Sequence, residues 1–565
     1  MPNIFNSVPV SLPKRNRFKG LSHSVKFTCE MGQLIPVLCQ DVLPNDRFRI
    51  SVNDLVRFAP MIAPIMAEID CYIHFFFIPN RLIWSEWEDF ITGSHNGKML
   101  DENDIPVWPT YSIPIAASSD GQNTDINPVL QHRSLADYLG FQTFNRTVSQ
   151  KPFSTSSYEL DAMPFRCYQR VWYDYYRDEN LDDSEDYSEY FSTSGNIVYD
   201  DDIDNEASNF TLLKYRAWRK DYFTSALPWA QKGPEVNLPS SFDSSVSLSR
   251  FGSNVGDFRA SNNVGTIPVG STVVTSRALS DSSSSTFLSG GSSANGFVFN
   301  AANFGLNFDS LNDSFDSGTI RELRRAYAAQ RFLERRAIGG TRYTEMLRAF
   351  FGARSSDARL QRVEFLGGVK NPVVVSQVLQ TSESTSNSPQ GQPSGNAVSA
   401  GGKFIFDRSF EEHGYIMAIF SVLPRADYMQ GIPRKFLRRD VYDFYWPQFA
   451  HVGEQPIFNK EVYFNPWLPN NSEIKNDGTF GYTPRYAEYR FNNNRVCGDF
   501  KDTLKFWTLG RDFDNSPSLN ASFIMCNPST RIFSVEDSMI SNHLWCEIAF
   551  NIDALRPVSK YGESL

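Results

Sequence analysis

The chain has 565 residues, 41% of them hydrophobic and 14% aromatic, including 46 Phe and 24 Tyr. That apolar content excludes global disorder, and the length exceeds one ordinary core, so one large domain with insertions or several domains are expected. The formal charge is −10, yet twelve carboxylates fall between Asp178 and Glu206 with no Lys or Arg among them; the remainder stands near neutral, which excludes nucleic-acid binding by bulk charge and leaves only a local patch or a separate basic partner.

In chain order, the first segment, MPNIFNSVPVSLPKRNRF, has no apolar stretch of the kind a targeting signal needs. It carries Lys14, Arg15, Arg17 and Lys19 around Phe18, cations suited to phosphates and a ring suited to stacking on a base. A solvated terminus, or a clasp on a neighbouring subunit, is the competing reading. Val25, Phe27 and Cys29 alternate with polar neighbours as in a half-buried strand. The most apolar stretch, residues 58–78, contains Pro60, Pro64, Glu68, Asp70 and His74, which excludes a membrane span. Within it, Ile69 to Ile78 is apolar on both faces, as in a strand covered on both sides. His74, among Phe75, Phe76 and Phe77, reads as a structural histidine.

The acidic segment 178–206 reads as a solvated loop. Its cluster Asp200, Asp201, Asp202 and Asp204 offers oxygens to Ca²⁺ but lacks the spacing and glycine of an EF-hand loop. Between 235 and 317 Ser, Gly, Asn and Phe dominate, which predicts a surface insertion that orders partly against copies of itself. Thr319-Ile320-Arg321-Glu322 fits a capping box. It opens a helix with an apolar stripe at Ile320, Leu323, Ala326/Tyr327, Ala329/Gln330, Leu333 and Ala337 and with Arg321, Arg324, Arg325, Arg331, Arg335 and Arg336 on its other faces. Such arginines meet nucleic acid or, more commonly, solvent and carboxylates of neighbouring subunits. Gly339-Gly340 ends that helix, and a second runs from Tyr343 to Phe351 and stops at Gly352. Thr381 to Gly402 reads as a flexible loop. Tyr415–Leu423 and Leu504–Leu509 are strand candidates. FYWPQFAHVGEQP, with Phe444, Tyr445, Trp446 and Phe449, is a candidate rigid inter-subunit loop, against the alternative that it packs within its own subunit. The clearest strand has Leu544, Cys546, Ile548, Phe550 and Ile552 on one face. Long strand-rich regions on either side of the helices predict a discontinuous, mainly β domain.

Catalytic signatures are missing. The seven histidines show no metal-ligand spacing, and no GxSxG elbow or GxxxxGK[ST] loop occurs. The seven cysteines form no CxxC pair, so neither a disulfide framework nor a zinc site is expected, and Cys71 and Cys546 read as small core residues. A carboxylate pair of the glycosidase type is not constrained by spacing.

Ten segments carry a resemblance: DVLPNDRF (41–48), RFAPMIAPIM (57–66), FFFIPNRLIW (75–84), LPWAQKGP (227–234), GGTRYTEMLRAFFG (339–352), DARLQRVEFLGG (357–368), EHGYIMAIFSV (412–422), GIPRKF (431–436), FYWPQFAHVGEQPIFNKE (444–461) and GYTPRYAEYR (481–490). In these, and in their order, the chain resembles the major capsid proteins of gokushovirus-type microviruses, single-stranded DNA bacteriophages of the Microviridae. The acidic segment, the 235–317 insertion and the 381–402 loop depart from the pattern.

The resemblance implies an eight-stranded antiparallel jelly roll with long loop insertions and a few short helices. It divides the chain into residues 1–234 (arm, first part of the roll, acidic loop), 235–317 (a protrusion at the three-fold axes) and 318–565 (helices and the rest of the roll). The implied role is structural, without enzyme activity or cofactor: a T=1 icosahedral shell, assembled through pentamers in the bacterial host cytoplasm and ending in the virion. Implied partners are other copies of the chain, a packaged circular single-stranded DNA, a small basic DNA-packaging protein, a pilot protein and a host surface receptor, with no membrane insertion. From outside that class, an aromatic-rich β chain also suits carbohydrate binding, which predicts a monomer with glycan affinity. A host-recognition spike would differ by its low copy number in the particle.

Overall fold

The structure, a computed structural model, describes residues 15–95, 98–99, 101, 104–119, 123–149, 157–182, 190–200, 206–232, 259–260, 279–282, 285–289, 296–300, 320–339, 342–352, 356–379, 393–450, 453–467, 475–535 and 541–560. The chain separates into two compact units, one of residues 1–230 with 337–565 and one of residues 231–336.

The first unit is mainly β. Its principal elements are β1 (Asn16–Phe18), β2 (His23–Cys29), β3 (Ile35–Val42), β4 (Arg47–Phe58), β5 (Ile69–Pro79), the helices α1 (Ala162–Val171) and α2 (Glu206–Phe210), then, after the helix α3 (Ile320–Gly339) that ends in this unit, α4 (Tyr343–Phe351), β6 (Glu364–Pro372), β7 (Val374–Leu379), β8 (Pro393–Ser409), β9 (Gly414–Pro424) and β10 (Leu544–Arg556). One sheet has the order β1-β10-β4-β8-β7, with β2 also pairing with β10. The other has the order β6-β5-β9-β3. All of these pairings are antiparallel.

Residue alternation explains why these segments extend. In β4, Phe48, Ile50, Val52, Val56 and Phe58 are buried, while Arg47, Arg49, Asn53 and Arg57 are exposed. In β10, Leu544, Cys546, Ile548, Phe550, Ile552 and Ala554 are buried. These side chains form one core with Ile73, Phe75 and Phe77 of β5 and Ile416, Ala418 and Phe420 of β9. Each such Ile or Phe contributes roughly 1.5–3 kcal/mol by burial.

The sheet carrying β5 is covered on both faces, as its unbroken apolar run predicts. Phe76, Ile78, Met417 and Ile419 point away from the first core into a second, shared with Phe165, Tyr168 and Val171 of α1 and with Trp84. A third cluster gathers Trp218, Phe223, Tyr428, Ile457, Phe480 and Phe523. Asp54 interrupts the apolar side of β4. Its Oδ1 accepts from Asn371 Nδ2 at 2.6 Å, Oδ2 is buried without a partner, and burial raises its pKa.

Three expectations are corrected. Residues 393–402, read as part of a flexible loop, are the first half of β8, paired to β7 and β4; residues 380–392 lie outside the described residues. The small residues there serve close packing: a Cβ on Gly395 would sit 2.5 Å from the Ala63 carbonyl oxygen, and one on Gly401 would meet the Asn371 amide at 2.2 Å. Leu504–Leu509 is not a strand. Lys505–Trp507 is a 3₁₀ turn whose N–H groups bond locally, Trp507 to the Leu504 carbonyl at 3.1 Å, and a six-residue alternation does not separate these cases. Glu206, read as the end of a solvated loop, is buried in α2.

Helix α4 starts and ends as expected. The Glu345 carboxylate accepts from the Arg342 N–H at 3.3 Å, and Gly352 takes a left-handed φ of 66°. Thr319 of the expected capping box lies outside the described residues. On α3 the apolar stripe is only partly covered: Ala337 is buried and Leu333 half-buried, whereas Leu323 and Tyr327 are exposed. In the second unit, Arg259–Ala260, Gly296–Asn300, Ser285–Ser289 and Leu279–Ser282 form a four-stranded antiparallel sheet in that order.

Candidate functional site

The basic N-terminal segment is tied to the chain's own last strand. Asn16, Arg17 and Phe18 form β1 opposite Arg556, Leu555 and Ala554. Arg17 Nε donates to Asp553 Oδ1 at 2.7 Å, and this ion pair lowers the Asp553 pKa. Asn16 Nδ2 donates to the Val558 carbonyl at 2.8 Å. Arg15 is exposed and Phe18 is half-buried. Lys19 lies beside Arg49, Ser51, Phe404, Asn551 and Asp553 around a surface depression of about 340 Å³. Lys14 lies outside the described residues.

The aromatic loop divides its rings between the chain and solvent. Its backbone is set by two 3₁₀ turns, Val441–Asp443 and Pro447–Phe449. The Asp443 carboxylate accepts the N–H groups of Arg439 and Asp440, at 2.7 and 3.0 Å, and this lowers its pKa. Tyr445 packs on Tyr486 with centroids 5.1 Å apart, and Trp446 Nε1 donates to the Val441 carbonyl at 2.9 Å. The Arg438 guanidinium lies 4.2 Å from the Tyr489 ring centroid and 5.5 Å from that of Phe444. Each ring has a contact within the subunit, yet Phe444 is 52% exposed, Tyr445 50%, Trp446 43% and Phe449 36%. Phe436, Val441, Tyr442 and Phe491 are exposed as well.

A concavity of about 1200 Å³ was not anticipated from sequence. Tyr72, His74, Tyr176, Arg216, Trp218 and Arg362 are among its walls. His74 behaves structurally: Nδ1 shares a 2.8 Å hydrogen bond with the Tyr176 hydroxyl, and burial, reinforced by Arg216, lowers its pKa to about 4. Arg216 Nη1 donates to Ser421 Oγ at 2.9 Å and its guanidinium lies over the Tyr72 ring at 4.4 Å. The sequence signal for this wall was KYRAWRK (214–220), in which cations and aromatic rings interleave.

The acidic segment is partly neutralised. Asp178 pairs with Lys220 at 2.7 Å and Glu179 with Arg342 at 2.9 Å. Glu206 binds Arg166 at 2.8 Å, with both side chains buried. Tyr111 Oη donates to the same carboxylate at 2.9 Å, and Arg166 also donates to the Ile83 and Thr193 carbonyls. This is a structural pair. Asp201, Asp202 and Asp204 lie outside the described residues. Among the described residues, no group of three or more His, Cys, Asp or Glu is placed to hold a metal ion. All seven cysteines are free thiols, and burial raises the Cys39 pKa to about 12. No described helix is long and apolar enough to cross a membrane.

Comparison with known proteins gives one consistent result. Residues 7–565 match a family model described as capsid protein (F protein). The chain is 34% identical to the capsid protein VP1 of Chlamydia phage 1, covering 100% of this chain and 97% of that one. It is 31% identical to the capsid protein VP1 of Bdellovibrio phage phiMH2K, covering 99% and 96%. It is 26% identical to the capsid protein VP1 of Spiroplasma virus 4, covering 96% and 94%.

Proposed function

Because the chain belongs to the capsid protein (F protein) family, we propose that its copies close a T=1 icosahedral shell, built through pentamers, around a circular single-stranded DNA genome. The chain is a structural capsid protein of the microvirus type, not an enzyme, and a component of the virion. The observation that carries the proposal is the family match over residues 7–565.

The finer reading of the fold is an eight-stranded jelly roll. Strand order supports it: β2-β10-β4-β8 in one sheet and β3-β9-β5-β6 in the other, so that consecutive strands mostly alternate between sheets around a shared core. The exposed aromatic loop with Phe444, Tyr445, Trp446 and Phe449 is proposed to be buried between subunits, where closed symmetry leaves no such patch open. Residues 235–317 are proposed to form the three-fold protrusion and to contact a host surface receptor, between roll-forming parts 1–234 and 318–565. Lys14, Arg15, Arg17, Phe18 and Lys19 are proposed to face the genome; the pairing of β1 with β10 would hold that segment on the sheet. A small basic DNA-packaging protein and a pilot protein complete the proposed particle, which assembles in the host cytoplasm.

Nuclease-treated, gradient-purified particles from a producing culture test this by electron microscopy and peptide mass fingerprinting. The expected result is small icosahedral shells holding protected single-stranded DNA, with this chain as the dominant band. A chain absent from the particles and running alone as a glycan-binding monomer would return the function to carbohydrate binding.

A further inference from the structure

The outward face of the sheet β2-β10-β4-β8 has a composition that the packing of the subunit does not require. Cross-strand register fixes which residues share it. Trp545 stands opposite Arg57 and Thr28, Glu547 opposite Leu55 and Lys26, Asn551 opposite Ser51, and Asp553 opposite Arg49. Phe404 stands opposite Ser51 on the other side of β4. Three cations on this face are matched by carboxylates: Arg17 with Asp553, Lys26 with Glu547 and Arg47 with Asp407. Lys19 and Arg49 add to the positive field on Asp553 but, like Arg57, make no ion pair within 4 Å among the described residues. In a chain of net charge −10, this sheet face carries an excess of positive charge.

Two large rings stand on the same face. Phe404 and Trp545 are each 48% exposed, and each has an arginine next to it. The Arg49 guanidinium lies 5.3 Å from the Phe404 ring centroid, and Arg57 is the direct cross-strand neighbour of Trp545. From Asn551, level with Phe404, to Trp545 is six residues along β10, about 20 Å at the rise of an antiparallel strand. Ser51, Asn53 and Asn551 occupy the ground between, with side chains that donate and accept hydrogen bonds.

We propose that this sheet face is a binding platform for single-stranded DNA, with Phe404 and Trp545 each stacking an unpaired base and Arg49, Arg57 and Lys19 holding the flanking phosphates. The proposal rests on the capsid reading and says which surface of the subunit meets the packaged strand. Charge complementarity selects a polyanion, and exposed rings paired with arginines select unstacked bases over a duplex, whose bases are already stacked on one another. The amide and hydroxyl side chains between the rings tolerate any base sequence, as a shell enclosing a whole genome requires.

Ultraviolet crosslinking of DNA-filled particles, followed by peptide mapping, tests this on the unmodified protein. Nucleotide adducts are expected on the peptides carrying Phe404 and Trp545. Adducts confined to other parts of the chain, or none at all in filled shells of this chain, would overturn the platform while leaving the capsid reading intact; failure to find the chain in shells at all would instead remove the capsid reading. A second measurement uses the soluble full-length chain and a fluorescent oligothymidine. Trp545→Ser is expected to weaken binding at least about fivefold, the low end for losing one stacked base. Replacing Lys19, Arg49 and Arg57 with alanine is expected to reduce the slope of log affinity against log salt by about 2. Equal affinity for a duplex of the same length, or unchanged binding in both variants, overturns the proposal.

Discussion

Glu206→Ala removes the acidic half of a fully buried pair, and its cost follows from the surroundings of Arg166. At 2.8 Å and an effective dielectric of about 20, the two charges attract by about 6 kcal/mol. Desolvation offsets much of that in the intact pair, but the variant leaves the guanidinium buried with neutral acceptors only, the carbonyls of Ile83 and Thr193 and the Thr193 hydroxyl. It also strips the Tyr111 hydroxyl of its acceptor. Breaking a buried pair in this way costs about 3–5 kcal/mol. Arg166→Met/Glu206→Leu removes both charges at similar volume and should cost less than Glu206→Ala alone, even with about 1–2 kcal/mol still lost at Tyr111. Urea unfolding of the full-length chain, followed by tryptophan fluorescence, measures both variants against the unmodified chain. A Glu206→Ala cost below about 1 kcal/mol, or a double variant at least as unstable as Glu206→Ala, would refute the assignment of this pair as a coupled structural ion pair.

Other outcomes follow from the same structure. His74 titrates near 4 in the fold against 6.5 for the free side chain, so between those values the unfolded chain binds more protons and stability falls as pH drops. Unfolding free energy should fall by up to about 1.4 kcal/mol per pH unit across pH 6.5 to 4, and His74→Gln should flatten that part of the profile. Gly32 has a φ of 84° and a Cβ there would lie 1.8 Å from the Cys526 carbonyl oxygen; Gly32→Ala should destabilise by roughly 2 kcal/mol or more, read from the urea midpoint. Phe75→Ala opens a cavity between the two sheets and should cost about 3–5 kcal/mol in the same assay. Tyr442→Ser/Phe444→Ser changes only half-exposed rings, so the subunit should keep its far-ultraviolet circular dichroism while particle yield drops at least tenfold in sedimentation profiles.

The sequence was most informative where one face of an element meets a core. β10 and β4 alternate because Ile548 and Val52 pack inward while Asn551 and Arg49 do not, and β5 loses alternation because Phe75 and Phe76 face two different cores. Composition misled where small residues are demanded by close neighbours: Gly395 and Gly401 looked like loop residues and sit within a paired strand. It misled again at Glu206, since a run of carboxylates carries no sign that one member meets Arg166 some forty residues earlier. The surface around Arg49, Arg57, Phe404 and Trp545 was illegible for a related reason. Its residues come from strands far apart in the chain, and only the register of β10, β4 and β8 brings them onto one face.

An icosahedral cryo-microscopy reconstruction of purified particles, at a resolution that shows side chains, tests the capsid assembly most directly. The expected map holds one copy of this chain per asymmetric unit of a T=1 shell, with Phe444, Tyr445, Trp446 and Phe449 covered by a neighbouring copy. A shell built of another protein, or copies of this chain meeting through other surfaces while that aromatic loop stays in solvent, would contradict it.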